Sequence, residues 1–210
     1  TVPTAARPGT TVMFKNLRIG TKITLGMGAA LLLVIALLTT VNLLNMNRVV
    51  RHAEQAELHG YVEAIRNGVA SETRLSEALS AAIANIPDVQ AAFARKDRDR
   101  LIELLHPSFE VMKADYGVRQ FQFHTPPATS FLRLHRLEKF GDDLSGFRKT
   151  VVQTNADRTP TRGLEKGVAG LGARGMVPVF AEGEHQGSLE FGMSFGQPFF
   201  DTFKERNGVD

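Results

Sequence analysis

Cysteine is missing from the chain, and so is tryptophan. Without cysteine there is no disulfide, no thiolate zinc site and no cysteine nucleophile. An excess of one charge is missing too: 25 Lys and Arg stand against 22 Asp and Glu, a formal +3. The two signs are interleaved along the sequence, so no basic face forms for a nucleic acid to use. Catalytic signatures are equally scarce. No Walker A loop, nucleophile elbow or H-E-x-x-H occurs, which removes the phosphate cradle, the activated serine and the helical zinc pair. Asp142 and Asp143 are adjacent, so their side chains diverge and do not form an acid/base pair. Gly170, Gly172 and Gly175 fit G-x-G-x-x-G, but that motif needs a strand before it and a helix after it. Here a Pro178-containing strand follows and no strand is read before it, so the glycines serve turns and close backbone approach. His124 and His135 are the one histidine pair that a hairpin would bring near each other, and no acidic ligand accompanies them. No cofactor, metal or enzymatic activity is expected.

Charge is also absent from Ile23 to Leu44, ITLGMGAALLLVIALLTTVNLL. As a helix this run spans roughly 33 Å, enough for a hydrocarbon core of about 30 Å. Lys15, Arg18 and Lys22 precede it, whereas asparagines 42, 45 and 47 and then Arg48 and Arg51 follow. The positive-inside tendency places residues 1–22 in the cytoplasm and 45–210 outside, across an inner membrane. A cleaved signal peptide is the competing reading, but the run is longer than an h-region and Thr39-Thr40-Val41-Asn42-Leu43 offers no small-x-small cleavage site. Residues 1–12, with Pro3 and Pro8, read as an extension upstream of a start at Met13.

From Asn45 to Ile86 a long amphipathic helix is expected. Leu58, Val62, Ile65 and Val69 are spaced 4, 3 and 4, and Leu79, Ile83 and Ile86 resume the phase, a seam suited to packing on its own domain or on a second copy. Pro87 stops it, and Asp88 and Asp97 are suited to cap helices over Val89–Ala94 and Arg98–Ala114. From Tyr116 the period falls to two. Phe121 and Phe123 share one strand face, opposite Gln120, Gln122 and His124. After Thr125-Pro126-Pro127-Ala128-Thr129, a strand over Phe131–Arg136 puts Phe131, Arg133 and His135 opposite Leu132 and Leu134. Asp142 or Asp143 then opens a helix to about Asn155, followed by a polar loop to Arg162. Gly175–Phe180 and Ser188–Phe195 form a hairpin, and Phe199–Arg206 a terminal helix. The order predicts an α+β fold, an antiparallel sheet with helices segregated to one side.

This order, together with Asn85-Ile86-Pro87-Asp88-Val89-Gln90-Ala91-Ala92-Phe93, Phe131-Leu132-Arg133-Leu134-His135, Phe140-Gly141-Asp142-Asp143-Leu144-Ser145-Gly146-Phe147-Arg148-Lys149-Thr150-Val151, Arg162-Gly163-Leu164-Glu165-Lys166-Gly167 and Arg174-Gly175-Met176-Val177-Pro178-Val179, resembles the extracytoplasmic double Cache sensor domains of bacterial chemoreceptors and related transducers. The resemblance covers roughly residues 45–205. It implies a PAS-like sheet and small-molecule sensing relayed through membrane helices, most simply to chemotaxis, with a histidine kinase or diguanylate cyclase as the alternative output. Such domains continue into a proximal module and a second membrane helix, so the domain at 45–210 reads as cut before them.

A small-ligand pocket needs an apolar wall and a few convergent polar groups. Arg133 and His135, with Phe131 as apolar cover, share a strand face that either lines such a pocket or faces solvent. Arg148 follows in the next helix, and Arg162 and Arg174 complete four candidate anion contacts, arginine being the side chain whose planar fork fits a carboxylate. Glu165 is a structural partner for one of them, and Asp142-Asp143 a helix cap. The expected partners are a small molecule, in the first instance an anionic organic compound, membrane lipid, and a second copy along the long helix; a protein-interaction domain without a small ligand is the alternative. Expressed with the Ile23–Leu44 run intact, the chain is predicted to enter the membrane fraction and to leave it with detergent but not with high salt. Uncleaved protein that stays soluble without detergent would contradict the span.

Overall fold

The computed structural model describes residues 18–167 and 170–208; the extension expected over residues 1–12 lies outside them. The chain divides into two compact units, residues 1–59 and 60–210, and one helix, α1 (Ile19–Ala84), runs through the division. In the first unit every residue from Arg18 to His59 is exposed; Leu31, Leu32, Leu33, Leu37 and Leu38 are each at least 60% exposed. Such a surface is unstable in water and ordinary in lipid, where the helix satisfies its own backbone. Among the described residues α1 is the one helix long and apolar enough to cross a membrane.

The second unit is an antiparallel five-stranded sheet in the order β2-β1-β5-β4-β3, built from β1 (Val118–Thr125), β2 (Thr129–Arg133), β3 (Thr161–Gly167), β4 (Gly170–Ala181) and β5 (Glu184–Ser194). The two-residue period of β1 and β5 sends Phe121, Phe123, Leu189 and Phe191 to one face, where they are fully buried. Phe121 and Phe191 lie directly opposite in the ladder and their rings stack at 4.0 Å. Helices α2 (Pro87–Ala94) and α3 (Arg98–Asp115) close over them with Phe93 and Phe109. Asp97 caps α3, its carboxylate accepting the Arg100 amide at 3.0 Å. Asp88 caps nothing: α2 starts two residues earlier than expected, at Pro87, whose fixed φ suits the first helical position, and its N-cap is Ile86.

The helical segment of residues 60–84 packs on the same face through small side chains. The expected apolar seam is met in part: Leu79 and Ile83 pack against the core, Leu58 and Val62 are exposed, and the fully buried positions are Thr73, Ser76, Ser80 and Ala84. Small residues let the helix backbone approach β4 closely. Ser80 Oγ donates to the Gly175 carbonyl at 2.8 Å and accepts the Phe191 amide at 3.0 Å, while Ser76 Oγ reaches the Ala173 carbonyl at 3.4 Å. A Cβ on Gly175 would stand 2.0 Å from the Glu77 backbone nitrogen.

Helices do not keep to one side. α4 (Lys149–Asp157) covers the opposite face, where Val151 packs with Leu144, Ala128 and Met176. It begins later than expected because residues 142–145 are held beside β2: Ser130 donates to the Asp142 carbonyl, Thr129 and Asp143 form a bridge, and the Asp143 carboxylate turns onto the Ser145 amide. The expected polar loop gives way at Thr161 to β3, where no strand was expected, so a strand does precede the glycine motif; no helix follows it, and Gly170, Gly172 and Gly175 lie in β4. The β4–β5 turn is the two residues Glu182 and Gly183, both at positive φ, which suits the right-handed twist of a hairpin. Pro178 is tolerated because β3 pairs β4 only as far as Met176. α5 (Gln197–Asn207) ends the described chain.

Gly175→Ala is predicted to lower stability by about 1–3 kcal/mol, since the helix backbone must retreat from β4. Gly163→Ala on the edge strand, where a Cβ meets nothing, should leave the thermal midpoint unchanged. Equal midpoints for both variants would contradict the close helix–sheet contact.

Candidate functional site

On the sheet face turned away from α1, α2 and α3, alternation presents Gln120, Gln122 and His124 from β1, Glu190 from β5, Arg174 from β4 and Glu165 from β3. Glu190 is fully buried, a position a carboxylate holds only when its charge is met. One carboxylate oxygen accepts from Arg174 Nη1 at 2.5 Å and the other from Arg148 Nη2 at 2.6 Å. Burial pushes the Glu190 carboxyl up, but Arg148 and Arg174 outweigh it and hold the group well below the usual carboxylate range. Burial likewise works against the charge on Arg148, and Glu190 and Glu165 overcome it.

Arg148 immediately precedes α4, and Glu165 locks that helix start to β3. The Glu165 carboxylate accepts from Arg148 Nε at 2.7 Å, from the Thr150 amide at 2.9 Å and from the Thr150 hydroxyl. It therefore also occupies the anion position at a helix N-terminus. Arg174 completes the network through Nε to the Glu165 carbonyl and Nη1 to Gln120. His124 is enclosed beside Glu190, its Nε2 3.5 Å from the carboxylate. Burial, aided by Arg148, Arg133 and Arg174 and opposed by Glu190, pushes its pKa down to about 3, so it is neutral at physiological pH.

Next to this network lies a cavity of about 360 Å³. Of the candidate residues, Arg133, His135, Arg148 and Arg174 line it. Arg133 is also fixed by a bidentate pair with Asp142, at 2.6 and 2.9 Å, and by the Lys139 carbonyl; Asp142 is thus an arginine partner and not a helix cap. His135 Nδ1 sits 3.4 Å from the amide and carbonyl of Phe121, and burial lowers its pKa.

Two candidates fall elsewhere. Phe131 is the extra residue of a bulge, since β1 passes from Phe123 to His124 while β2 passes from Leu132 to Ser130. A bulge breaks the two-residue alternation, and the Phe131 ring packs on Phe93 in the helix-side core. Arg162 stands opposite Gly175, hence on the helix side of β3, where it pairs with Glu77 at 2.9 Å. His124 and His135 are not brought together: His124 is opposite Ser130 and Ser188, and His135 lies by Phe121. Among the described residues no group of three metal-ligating side chains forms.

Residues not singled out from the sequence complete the cavity. Gln120 and Gln122 bring amides from β1, Arg119, Arg136 and Lys139 bring cations, and Leu144, Phe147 and Leu171 bring apolar surface. The β1 glutamines carried a signal, since they alternate with the core phenylalanines. The cavity offers hydrogen-bond donors, fixed positive charge and an apolar wall, which suits binding of a small solute.

Comparison with known proteins bears on the fold. The extracellular domain of vpHK1S-Z8, assigned as a histidine kinase, superposes with a TM-score of 0.50 at 16% identity, covering 71% of this chain and 59% of that one. The ligand-binding domain of the Campylobacter jejuni chemoreceptor Tlp3, solved with L-norvaline, gives 0.45 at 13% identity over 70% of this chain and 56% of that one. This chain thus spans a little under 60% of the length of these structures. No curated protein matches it. The family model described as the double sensory domain of two-component sensor kinase, dCache_3, matches residues 51–210, and the chain belongs to that family of sensory domains.

Proposed function

We propose that this domain is the extracytoplasmic input of a transmembrane receptor and binds a small solute, through a carboxylate group, in the cavity beside Glu190. The observation that carries this reading is the convergence of Arg148, Arg174, Gln120 and Gln122 on one open cleft with an apolar wall. The Ile23–Leu44 segment anchors it in the inner membrane, with the N-terminus cytoplasmic and the sensory domain, from residue 45 onward, periplasmic. The role is binding, with no bond-making chemistry. Val62 and Leu75, exposed along α1, support a homodimer through that helix. Chemotaxis is one output of such an input, and the family's description as a sensory domain of sensor kinases favours the histidine kinase alternative.

The path from ligand to helix is short. Arg174 faces the cavity, while its neighbours in β4, Ala173 and Gly175, accept from Ser76 and Ser80 of α1. A solute that draws on Arg174 therefore acts one residue from the helix contact, and it shifts α1 by as much as its affinity differs between the two positions of that helix.

A thermal-shift screen of small carboxylates on the detergent-solubilised chain tests the site. A hit at 100 times its Kd is expected to stabilise by about 2.7 kcal/mol. Gln122→Ala and Phe147→Ala should weaken it several-fold while leaving the unliganded midpoint close to that of the parent. A hit that both variants retain undiminished would place binding elsewhere.

A further inference from the structure

The cavity is lined by Arg119, Arg133, Arg136, Lys139, Arg148 and Arg174, and by no aspartate or glutamate. Most of this positive charge is already answered. Arg148 and Arg174 meet Glu190 and Glu165, Arg133 meets Asp142, and Arg136 meets Glu138 at 2.8 Å. His135 is held towards its neutral form by burial. Arg119 and Lys139 make no ion pair among the described residues, and Lys139 acts on Asp142 only through longer-range attraction. The network is thus balanced internally, and the cavity keeps two cations outside any ion pair, Arg119 and Lys139, the latter answered only at a distance by Asp142.

The same census bears on the ammonium group. The carboxylates nearest the cavity are spent: both oxygens of Glu190 accept from buried guanidiniums, and both of Glu165 accept from Arg148 or Thr150. An α-ammonium placed here would face fixed positive charge with no carboxylate to receive it, and a like charge brought into such a site costs affinity. Leu144, Phe147 and Leu171 offer apolar contact to a short carbon chain. A volume of about 360 Å³ falls at the small end of the roughly 300–1,000 Å³ range of small-ligand pockets.

Resting on the binding reading above, we infer that the ligand is a small organic dianion without an ammonium group, of the dicarboxylate class. One carboxylate meets the two cations outside the network, Arg119 and Lys139, and the second accepts from the guanidinium nitrogens the network leaves unused, Nη1 of Arg148 and Nη2 of Arg174. Zwitterionic amino acids are selected against.

Succinate, malate and aspartate form a matched set that differs at one carbon in hydrogen, hydroxyl or ammonium. Isothermal titration of the detergent-solubilised full chain at pH 7 should give succinate or malate at least about tenfold tighter than aspartate, the scale of one charge-assisted contact. Arg119→Gln and Lys139→Gln, both outside the buried network, should each weaken the dicarboxylate by about fivefold or more, and the parent affinity should fall with added salt. Aspartate binding as tightly as malate overturns the inference, as does no binding of any dicarboxylate. An amino acid whose binding is lost with Gln122→Ala removes the charge assignment and leaves the cavity as the site. A dicarboxylate indifferent to Gln122, Arg119 and Lys139 removes the cavity itself.

Discussion

The interaction on which the sensory unit depends is the charge of Glu190, buried at the middle of the sheet and answered by two guanidiniums. Removing one such ion from water costs several kcal/mol, which a partner returns only with good geometry and satisfied hydrogen bonds. Here both oxygens are engaged, and the two arginines come from different elements, Arg174 from β4 and Arg148 from the residue that starts α4. Glu165 adds β3 to the same knot. An apolar set of equal volume would hold these elements as well or better. Charge does something an apolar core cannot: it presents a rigid polar wall to the adjoining cavity before any solute arrives, which lowers the cost of binding.

That wall divides the labour of the sheet. One face is an aromatic core closed by α2 and α3, and the other carries the ion network and the cavity. β4 serves both, since its backbone binds serines of α1 while Arg174 points into the network. Contact through small side chains makes the helix–sheet distance strict at Gly175, whereas a greasy seam would slide more readily. The buried His124, both of whose ring nitrogens lack a hydrogen-bond partner, is kept neutral by the same surroundings.

Much of this was legible in the residues. The uncharged run from Ile23 to Leu44 and the change of period at Tyr116 follow from spacing and side-chain chemistry, and Arg133, His135, Arg148 and Arg174 of the six candidate residues line one cavity. The failures have local causes. β3 mixes charged residues with glycine and carries almost no apolar alternation, so no strand is read there from the sequence, and with it Arg162 lost its true face. Phe131 left the expected face because a bulge adds a residue that no periodicity announces. The buried stripe of α1 is Thr73, Ser76, Ser80 and Ala84, which hydrophobicity does not mark. The Asp142 pairing, like that of Glu190, joins segments whose proximity only the folded sheet creates.

Denaturant unfolding of Glu190→Gln, followed by the loss of sheet circular dichroism, addresses the network most directly, with Glu138→Gln at the exposed Arg136 pair as control. The substitution keeps size and one acceptor but leaves Arg148 and Arg174 buried with too little negative charge. The expected loss is about 3–5 kcal/mol for Glu190→Gln and under about 1 kcal/mol for the control. A Glu190→Gln variant as stable as the parent would mean that the buried charge does not hold the sheet, α4 and the cavity wall together.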